Sequence, residues 1–367
     1  MTFGARALIR LGALKKNLKV VRDAAPDSKI MAVIKANAYG HGMLTVAQTL
    51  DDVDSFAVAR LPEAIQLNES GIDKPIVLLA GVLTNAELAE AMRRGFEVVV
   101  HCIEQVELLE SVESGSATVW LKFDTGMNRL GFAPDQASQL LERLSGCPSV
   151  AELRLMSHLS SADELGNAAT REQLALFRSI IKGFSGAVSI ANTPATLGWP
   201  EITDARNELG IQGEQWLRPG LALYGISPFA GQCGADLGLT PVMQFEARLI
   251  AIKPLCAGAR VGYKGRYRSQ RDSMLGIISA GYGDGYTRHF RTGTPVLLNG
   301  RRVPLIGNVS MDMLAVDLGP GAEDSVGDIA TLWGDDLPVE EVAPWADAIP
   351  YELVCGVMNR EESQIAD

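Results

Sequence analysis

Lys35 directly follows the four apolar residues MAVI and opens the segment KANAYGHG. A lone lysine is ordinarily a solvated surface charge. Here the run before it has the pattern of a buried strand, with the ammonium at the strand's carboxyl end. In a parallel barrel both faces of such a strand are covered, and a long side chain at its mouth points into the face where barrels keep their active sites. Loss of water there lowers the amine's pKa, which is what an imine-forming amine needs. Asn37, Tyr39, Gly40, His41 and Gly42 follow with hydrogen-bond donors and a flexible loop. Arg218 and His158 end two later apolar runs. An arginine in that position is ordinarily a surface residue paired with a carboxylate, and a histidine there is ordinarily a satisfied core residue. Thr193, with Pro194 after it, also fits a helix N-cap. From the residues alone these alternatives stay open.

The elements that must position these residues alternate in type. Apolar or β-branched runs occur at 29–35, 55–59, 75–80, 96–100, 117–123, 152–158, 187–192 and 215–218. Between them, 61–69, 86–93, 103–112, 135–144 and 172–182 carry apolar residues at spacings of three and four, the helical period. Eight strand runs with crossover helices predict a (β/α)8 barrel over 1–235, with a doubly wound open sheet as the structural alternative. After about residue 235 the texture changes. Runs at 273–280, 294–298, 302–306, 313–318 and 328–333 are short strands at close spacing. Asn299-Gly300 between two of them is a hairpin signal. The helical pattern returns only at 339–346. A second, mostly β domain is expected over 236–367, with the first strand, about 1–11, free to join it.

Composition narrows the class. The 367 residues suggest about two domains. Lys and Arg number 33 against 44 Asp and Glu, a net charge of −11, which disfavours nucleic acid as the main partner. With 47% hydrophobic and 21% charged residues the chain is globular rather than disordered. Five cysteines, an odd number with no metal-binding spacing, point to a reducing cytoplasm and to no metal site. Arg6 and Arg10 interrupt any apolar core near the start, so no secretory signal is expected. No run approaches the length of a membrane helix.

KANAYGHG resembles the pyridoxal-phosphate attachment signature of alanine racemases. LKFDTGMNRLGF (121–132), SHLSSADE (157–164), WLRPGLALYG (216–225), RVGYKG (260–265), GYGDGY (281–286), VPLIGNVSMDM (303–313) and YELVC (351–355) follow in that family's order. The resemblance covers nearly the whole chain, and it implies a fold of a barrel plus a β domain.

It also implies a reaction, the interconversion of L-alanine and D-alanine, for cell-wall D-alanine supply or for D-alanine catabolism. Inversion at an α-carbon needs an electron sink, which pyridoxal 5'-phosphate provides, and a proton removed from one face and returned to the other. The resemblance makes Lys35 one base and Tyr263, from the partner in a homodimer, the other. Arg129 assists the tyrosine. Arg218 faces the pyridine nitrogen and, being a donor only, leaves that nitrogen unprotonated. His158 hydrogen-bonds Arg218. Tyr39, Thr193, Tyr351 and the N–H groups near Gly220 and Leu221 bind phosphate. Lys122 matches a lysine that some relatives carry as a carbamate; otherwise it is an ordinary lysine paired with Asp124. Met311 and Asp312 match positions where the partner's main chain meets the substrate carboxylate. Asp163, Tyr282 and Arg288 match the entry corridor.

Three departures from the family pattern stand out. Thr193-Pro194 replaces a common Ser-Ala, Asn308 replaces an arginine that pairs with the residue matched by Asp163, and the tail from Asn359 lacks the usual ending and reads as an exposed terminus. The competing functions are a related pyridoxal-phosphate amino-acid decarboxylase, whose substrate-contacting segment is missing, and a non-catalytic pyridoxal-phosphate carrier, which would not have residues 236–367.

Overall fold

The computed structural model describes residues 4–203, 209–357 and 364–366. Strand β1 (Arg6–Arg10) precedes eight barrel strands: β2 (Lys29–Val33), β3 (Ser55–Val58), β4 (Ile76–Leu78), β5 (Glu97–Val100), β6 (Ala117–Lys122), β7 (Val150–Met156), β8 (Val188–Ser189) and β9 (Trp216–Leu217). They pair in parallel in the order β8-β7-β6-β5-β4-β3-β2-β9. Single bridges at Val188–Gln215 and Asn192–Arg218 close the ring between its two ends. The barrel expectation holds, and the open-sheet alternative does not.

Side chains alternate across a strand, so residues two apart share a face. That rule sorts the barrel interior into layers. Lys29, Met31, Val33 and Lys35 climb one strand; Trp120 and Lys122, Arg154, Met156 and His158, and Trp216 and Arg218 climb three others. The lower layer is a packed floor. The Arg154 guanidinium sits 5.3 Å from the ring centres of both Trp120 and Trp216 and 3.1 Å from Glu97, whose other oxygen accepts from Trp120 Nε1 at 2.6 Å. The upper layer, two residues further along each strand, carries the cations at the mouth.

The second domain is built on β10 (Met243–Leu255), a strand of 13 residues. Its first half pairs with β1 on one side and β17 (Ile329–Trp333) on the other; its second half pairs with β13 (Ser273–Ile278). β14 (Pro295–Leu298), β15 (Arg301–Pro304) and β16 (Leu314–Gly319) complete the sheet. Asn299 and Gly300 both have positive φ, 48° and 75°, and close the two-residue hairpin from β14 to β15. No run was read at 243–255, because Glu246, Arg248 and Lys253 punctuate it. Glu246 is nevertheless buried, held by Arg6 of β1.

β1 lies in this sheet and leads into the barrel through the helix Leu11–Ala24. Buried Asn17 on that helix donates to the carbonyls of Leu223 and Thr240 and accepts from Thr240 N–H, tying the helix to the segment that leaves the barrel. Of the tail expected to be exposed, Ile365 is 58% exposed. Residues 358–363 lie outside the described residues, but Gln364–Ala366 form β18, parallel to β1. One hydrophobic core runs through both domains. Among the described residues no helix is long and apolar enough to cross a membrane.

Candidate active site

The barrel mouth holds a cavity of about 480 Å³. Ten of the residues singled out from sequence line it: Lys35, Tyr39, Lys122, Arg129, His158, Thr193, Arg218, Gly220, Leu221 and Tyr351. Four of these are cations, and no carboxylate among the described residues lines the cavity. In a chain of net charge −11 this is a concentrated positive patch.

The cations act on one another. Burial lowers the Lys35 pKa, Arg129 lowers it further, and Glu63 and Cys355 oppose the shift. Burial, with Arg218 and Arg129 nearby, pushes Lys122 down to about 8. The alternative pairing of Lys122 with Asp124 is not what occupies that carboxylate, which accepts the main-chain N–H groups of Gly126, Asn128 and Arg129 at 2.9–3.1 Å.

Arg218 is 5% exposed and pairs with no carboxylate among the described residues. Its guanidinium donates to the Ser157 carbonyl at 2.5 Å and to the Ser189 hydroxyl, and reaches His158 Nδ1 at 3.4 Å. Burial lowers its pKa to about 9, which leaves it cationic at neutral pH. His158 is pushed well below its usual range by burial and by Arg218, so it is neutral. Its carbonyl accepts from buried Gln173, which also bonds Thr125 at 3.2 Å and so ties the loops after β6 and β7.

Thr193 is not a helix N-cap. Asn192 caps that helix through Ala195 N–H at 3.2 Å, and the Thr193 hydroxyl accepts from Gly220 N–H at 3.0 Å. Tyr39 packs 4.9 Å from Tyr224 and 5.9 Å from Tyr351. A Cβ on Gly220 would stand 2.7 Å from the Tyr39 hydroxyl, so only glycine leaves this corner open. Burial pushes the Tyr351 phenol up to about 12, with Asp163 adding to the shift.

The chain after Lys35 has an unusual backbone. Ala36, Asn37, Ala38 and Tyr39 all have φ of 53°, a left-handed turn made without glycine. Such conformations cost roughly 1–2 kcal/mol per residue. The Glu63 carboxylate steadies its start, accepting Ala36 N–H at 2.7 Å, Ala59 N–H at 2.9 Å and Arg60 N–H at 3.0 Å.

The remaining candidates lie elsewhere. Tyr263 is 66% exposed and Met311 52% exposed, both on the second domain. Gly262 and Gly265, at φ of 70° and 53°, flank Tyr263 and turn it outward. The ribbon that carries it, β11 (Arg260–Val261) and β12 (Tyr267–Arg268), rests on a small core of Leu255, Val261, Leu275 and Ile306. Asn308 Nδ2 donates to the Tyr263 carbonyl at 3.3 Å, and the Tyr282 and Gly283 N–H groups bond the carbonyls of Ser310 and Met311. Tyr263, Met311 and Tyr282 thus share one exposed face, with Asp312 next to Met311 and exposed Arg288 on the following loop. None of these lines the cavity.

Cys355 and Glu63 escaped the sequence reading. Cys355 lines the cavity and lies four residues after Tyr351 on the helix Pro350–Gly356, so the i, i+4 spacing was a usable signal. Glu63 gave none beyond its place in the first turn of a helix.

The molecule is of the class of barrel enzymes built around a strand-end lysine, with a β-rich second domain. Comparison with known proteins specifies it. Residues 9–228 match the model of the alanine racemase N-terminal domain, and residues 242–365 that of the alanine racemase C-terminal domain. The chain is 48% identical over 360 residues to the alanine racemase of Vibrio cholerae, covering 98% of this chain and 97% of that one. It is 48% identical over 357 residues to that of Shewanella sediminis, covering 97% of each. Among solved structures, the biosynthetic alanine racemase of Pseudomonas aeruginosa superposes with a TM-score of 0.94 at 38% identity over 100% of both chains. The alanine racemase of Bartonella henselae with covalently bound pyridoxal phosphate superposes at 0.88, with 26% identity over 99% of each chain. The chain belongs to the alanine racemase family and is a racemase.

Proposed function

We propose that this chain interconverts L-alanine and D-alanine, with pyridoxal 5'-phosphate held in the barrel mouth and the two proton-transfer groups supplied by two copies of the chain. The observation that carries this reading is the cavity lining: Lys35, Lys122, Arg129 and Arg218 without a carboxylate. Such a site suits a ligand pair bearing a phosphate and a carboxylate. The fit to the cofactor rests on three features: a lysine amine with lowered pKa, a buried guanidinium with no anionic partner, and the Gly220 corner that a Cβ would fill.

The cofactor, when bound, supplies the conjugated electron sink without which the α-proton is not acidic enough to leave. Tyr39, Thr193 and Tyr351, with the N–H groups near Gly220 and Leu221, hold its phosphate. Arg218, cationic at neutral pH, would donate to the ring nitrogen and leave it unprotonated, which moderates electron withdrawal and favours return of the proton to the α-carbon. His158, kept neutral, supports Arg218. Lys35 moves the proton on one face of the α-carbon. Tyr263 of a second copy moves it on the other, since one side chain cannot reach both faces of a planar carbon. Arg129, oriented by Lys122 where that lysine is carried as a carbamate, and the Met311 main chain of that second copy orient the substrate carboxylate. Asp163, Tyr282, Arg288 and Asp312 border the approach to the site.

The exposed Tyr263–Met311 face supports a homodimer with shared sites: a twofold pair would set it over the opposite barrel mouth. We divide the chain near residue 235, with β1 assigned to the second domain, and place the protein in the cytoplasm. Incubating the protein and its cofactor with L-alanine and resolving the enantiomers tests the function. Accumulation of D-alanine to an equal mixture is expected. Carbon dioxide release without D-alanine would instead establish a decarboxylase.

A further inference from the structure

We propose that His41 is a positioning residue for the reaction, whose Nδ1–H fastens the left-handed turn between Lys35 and Tyr39. The inference rests on the reading of those two residues as the cofactor's holders. A left-handed turn without glycine lies uphill, so neighbouring groups must hold it. Glu63 holds its start, at Ala36 N–H. His41 holds its end. The carbonyls of Ala38 and Tyr39 converge on His41 Nδ1 at 3.0 and 2.9 Å. Two acceptors on one ring nitrogen require that nitrogen to carry the proton.

The same ring reaches both reactive ends of the turn. It stacks on Tyr224 at 4.5 Å. Tyr224 packs on the Tyr39 ring, and its hydroxyl donates to the Val33 carbonyl at 3.0 Å, two residues before Lys35. On the far side Gly40 is pressed against the helix that carries Tyr351, where an added Cβ would lie 2.2 Å from the Val354 carbonyl. The turn therefore has little room to relax, and the imidazole is the piece that closes it. His41 is 1% exposed and does not line the cavity, so it acts through Lys35 and Tyr39 and not on the substrate. Burial holds its pKa down at about 4, which keeps the ring neutral; Nε2 is buried with no hydrogen-bond partner among the described residues.

Two variants separate the donor from the ring. His41→Phe keeps the stack on Tyr224 and loses the N–H; His41→Asn keeps a short N–H donor and loses the stack. The phenylalanine variant is expected to lower kcat about 10- to 100-fold with KM for alanine nearly unchanged, since misplacement of about 1 Å has that effect. In the cofactor-free protein, the amides of Gly40, His41 and Gly42 should exchange hydrogen at least about tenfold faster than in the parent, as the turn opens more often. The asparagine variant should recover much of both losses. Parent-like kcat and exchange in the phenylalanine variant, or an asparagine variant no better than it, would overturn the proposal. On the unmutated protein, nitrogen NMR should show His41 neutral with the proton on Nδ1 from pH 5 to pH 9; a proton on Nε2 would overturn it even if a variant failed to fold. Absence of alanine racemisation by the parent would reject the proposed function instead, and the exchange and NMR results would still decide the role of His41.

Discussion

The Arg218 guanidinium donates to the Ser157 carbonyl at 2.5 Å inside the barrel, and its partners are neutral groups, with no carboxylate among them. A buried cation held this way is aimed by the protein and left for a ligand to complement. Arg218→Glu is expected to lower racemisation by roughly 100-fold or more, the scale seen when a single charge-stabilising donor is removed from an active site. A carboxyl group there can share a proton with the ring nitrogen, so pyruvate formation by transamination should rise. Parallel assays of D-alanine and pyruvate check both. Unchanged racemisation would remove Arg218 from the site.

Lys35→Ala is expected to abolish racemisation and to leave no cofactor that borohydride can fix to the protein. The pH at which the free amine reacts should respond to its neighbours. Arg129 holds the Lys35 pKa down, so Arg129→Gln should move the pH midpoint of covalent cofactor capture upward. Glu63 acts in the opposite sense, so Glu63→Gln should move it downward. Capture rates on cofactor-free protein, followed across pH, measure both shifts.

Lys122 makes a stability prediction. Its pKa is about 8 in the folded chain against an ordinary 10.5. Between those values the unfolded chain binds more protons, so this group makes stability rise with pH across that window. Denaturant titrations in buffer free of carbon dioxide should show the parent gaining on the order of 3 kcal/mol relative to Lys122→Met from pH 8 to pH 10.5. A flat difference would mean the amine titrates as an ordinary surface lysine.

The barrel floor should matter for stability more than for chemistry. Glu97→Ala removes the carboxylate 3.1 Å from half-buried Arg154, which keeps Glu152 at 2.6 Å, and takes away the acceptor of buried Trp120 Nε1. Because Glu152 still compensates the guanidinium, the main loss is the unsatisfied Trp120 N–H, about 1–3 kcal/mol. Thermal unfolding should show a clear drop in Tm, while KM for alanine stays near the parent value.

The barrel was legible because parallel strands covered on both faces read as apolar runs, and each of the eight runs became a strand. Residues ending those runs, Lys35, His158 and Arg218, reached the mouth for the same reason. β10 escaped because its charges are held by partners distant in sequence, as Glu246 is by Arg6. The left-handed turn escaped because Ala36–Tyr39 contains no glycine to announce it. The carboxylate-free lining appears only once the ring has closed, since Asp124 and Glu63, near the cations in sequence or space, turn their oxygens to main-chain N–H groups.

The proposed function requires Lys35 in one barrel and Tyr263 on another copy to serve one site. Complementation between two inactive variants, Lys35→Ala and Tyr263→Phe, tests it most directly. Each homodimer carries damage in both sites. A mixed dimer with shared sites holds one doubly damaged site and one intact site. After subunit exchange, confirmed by isolating the mixed dimer through two different affinity tags, its activity should return to about half that of the parent dimer, as twofold symmetry requires. A purified mixed dimer that stays at the background of its parents would mean that Lys35 and Tyr263 act within one chain, and the shared-site account would be wrong.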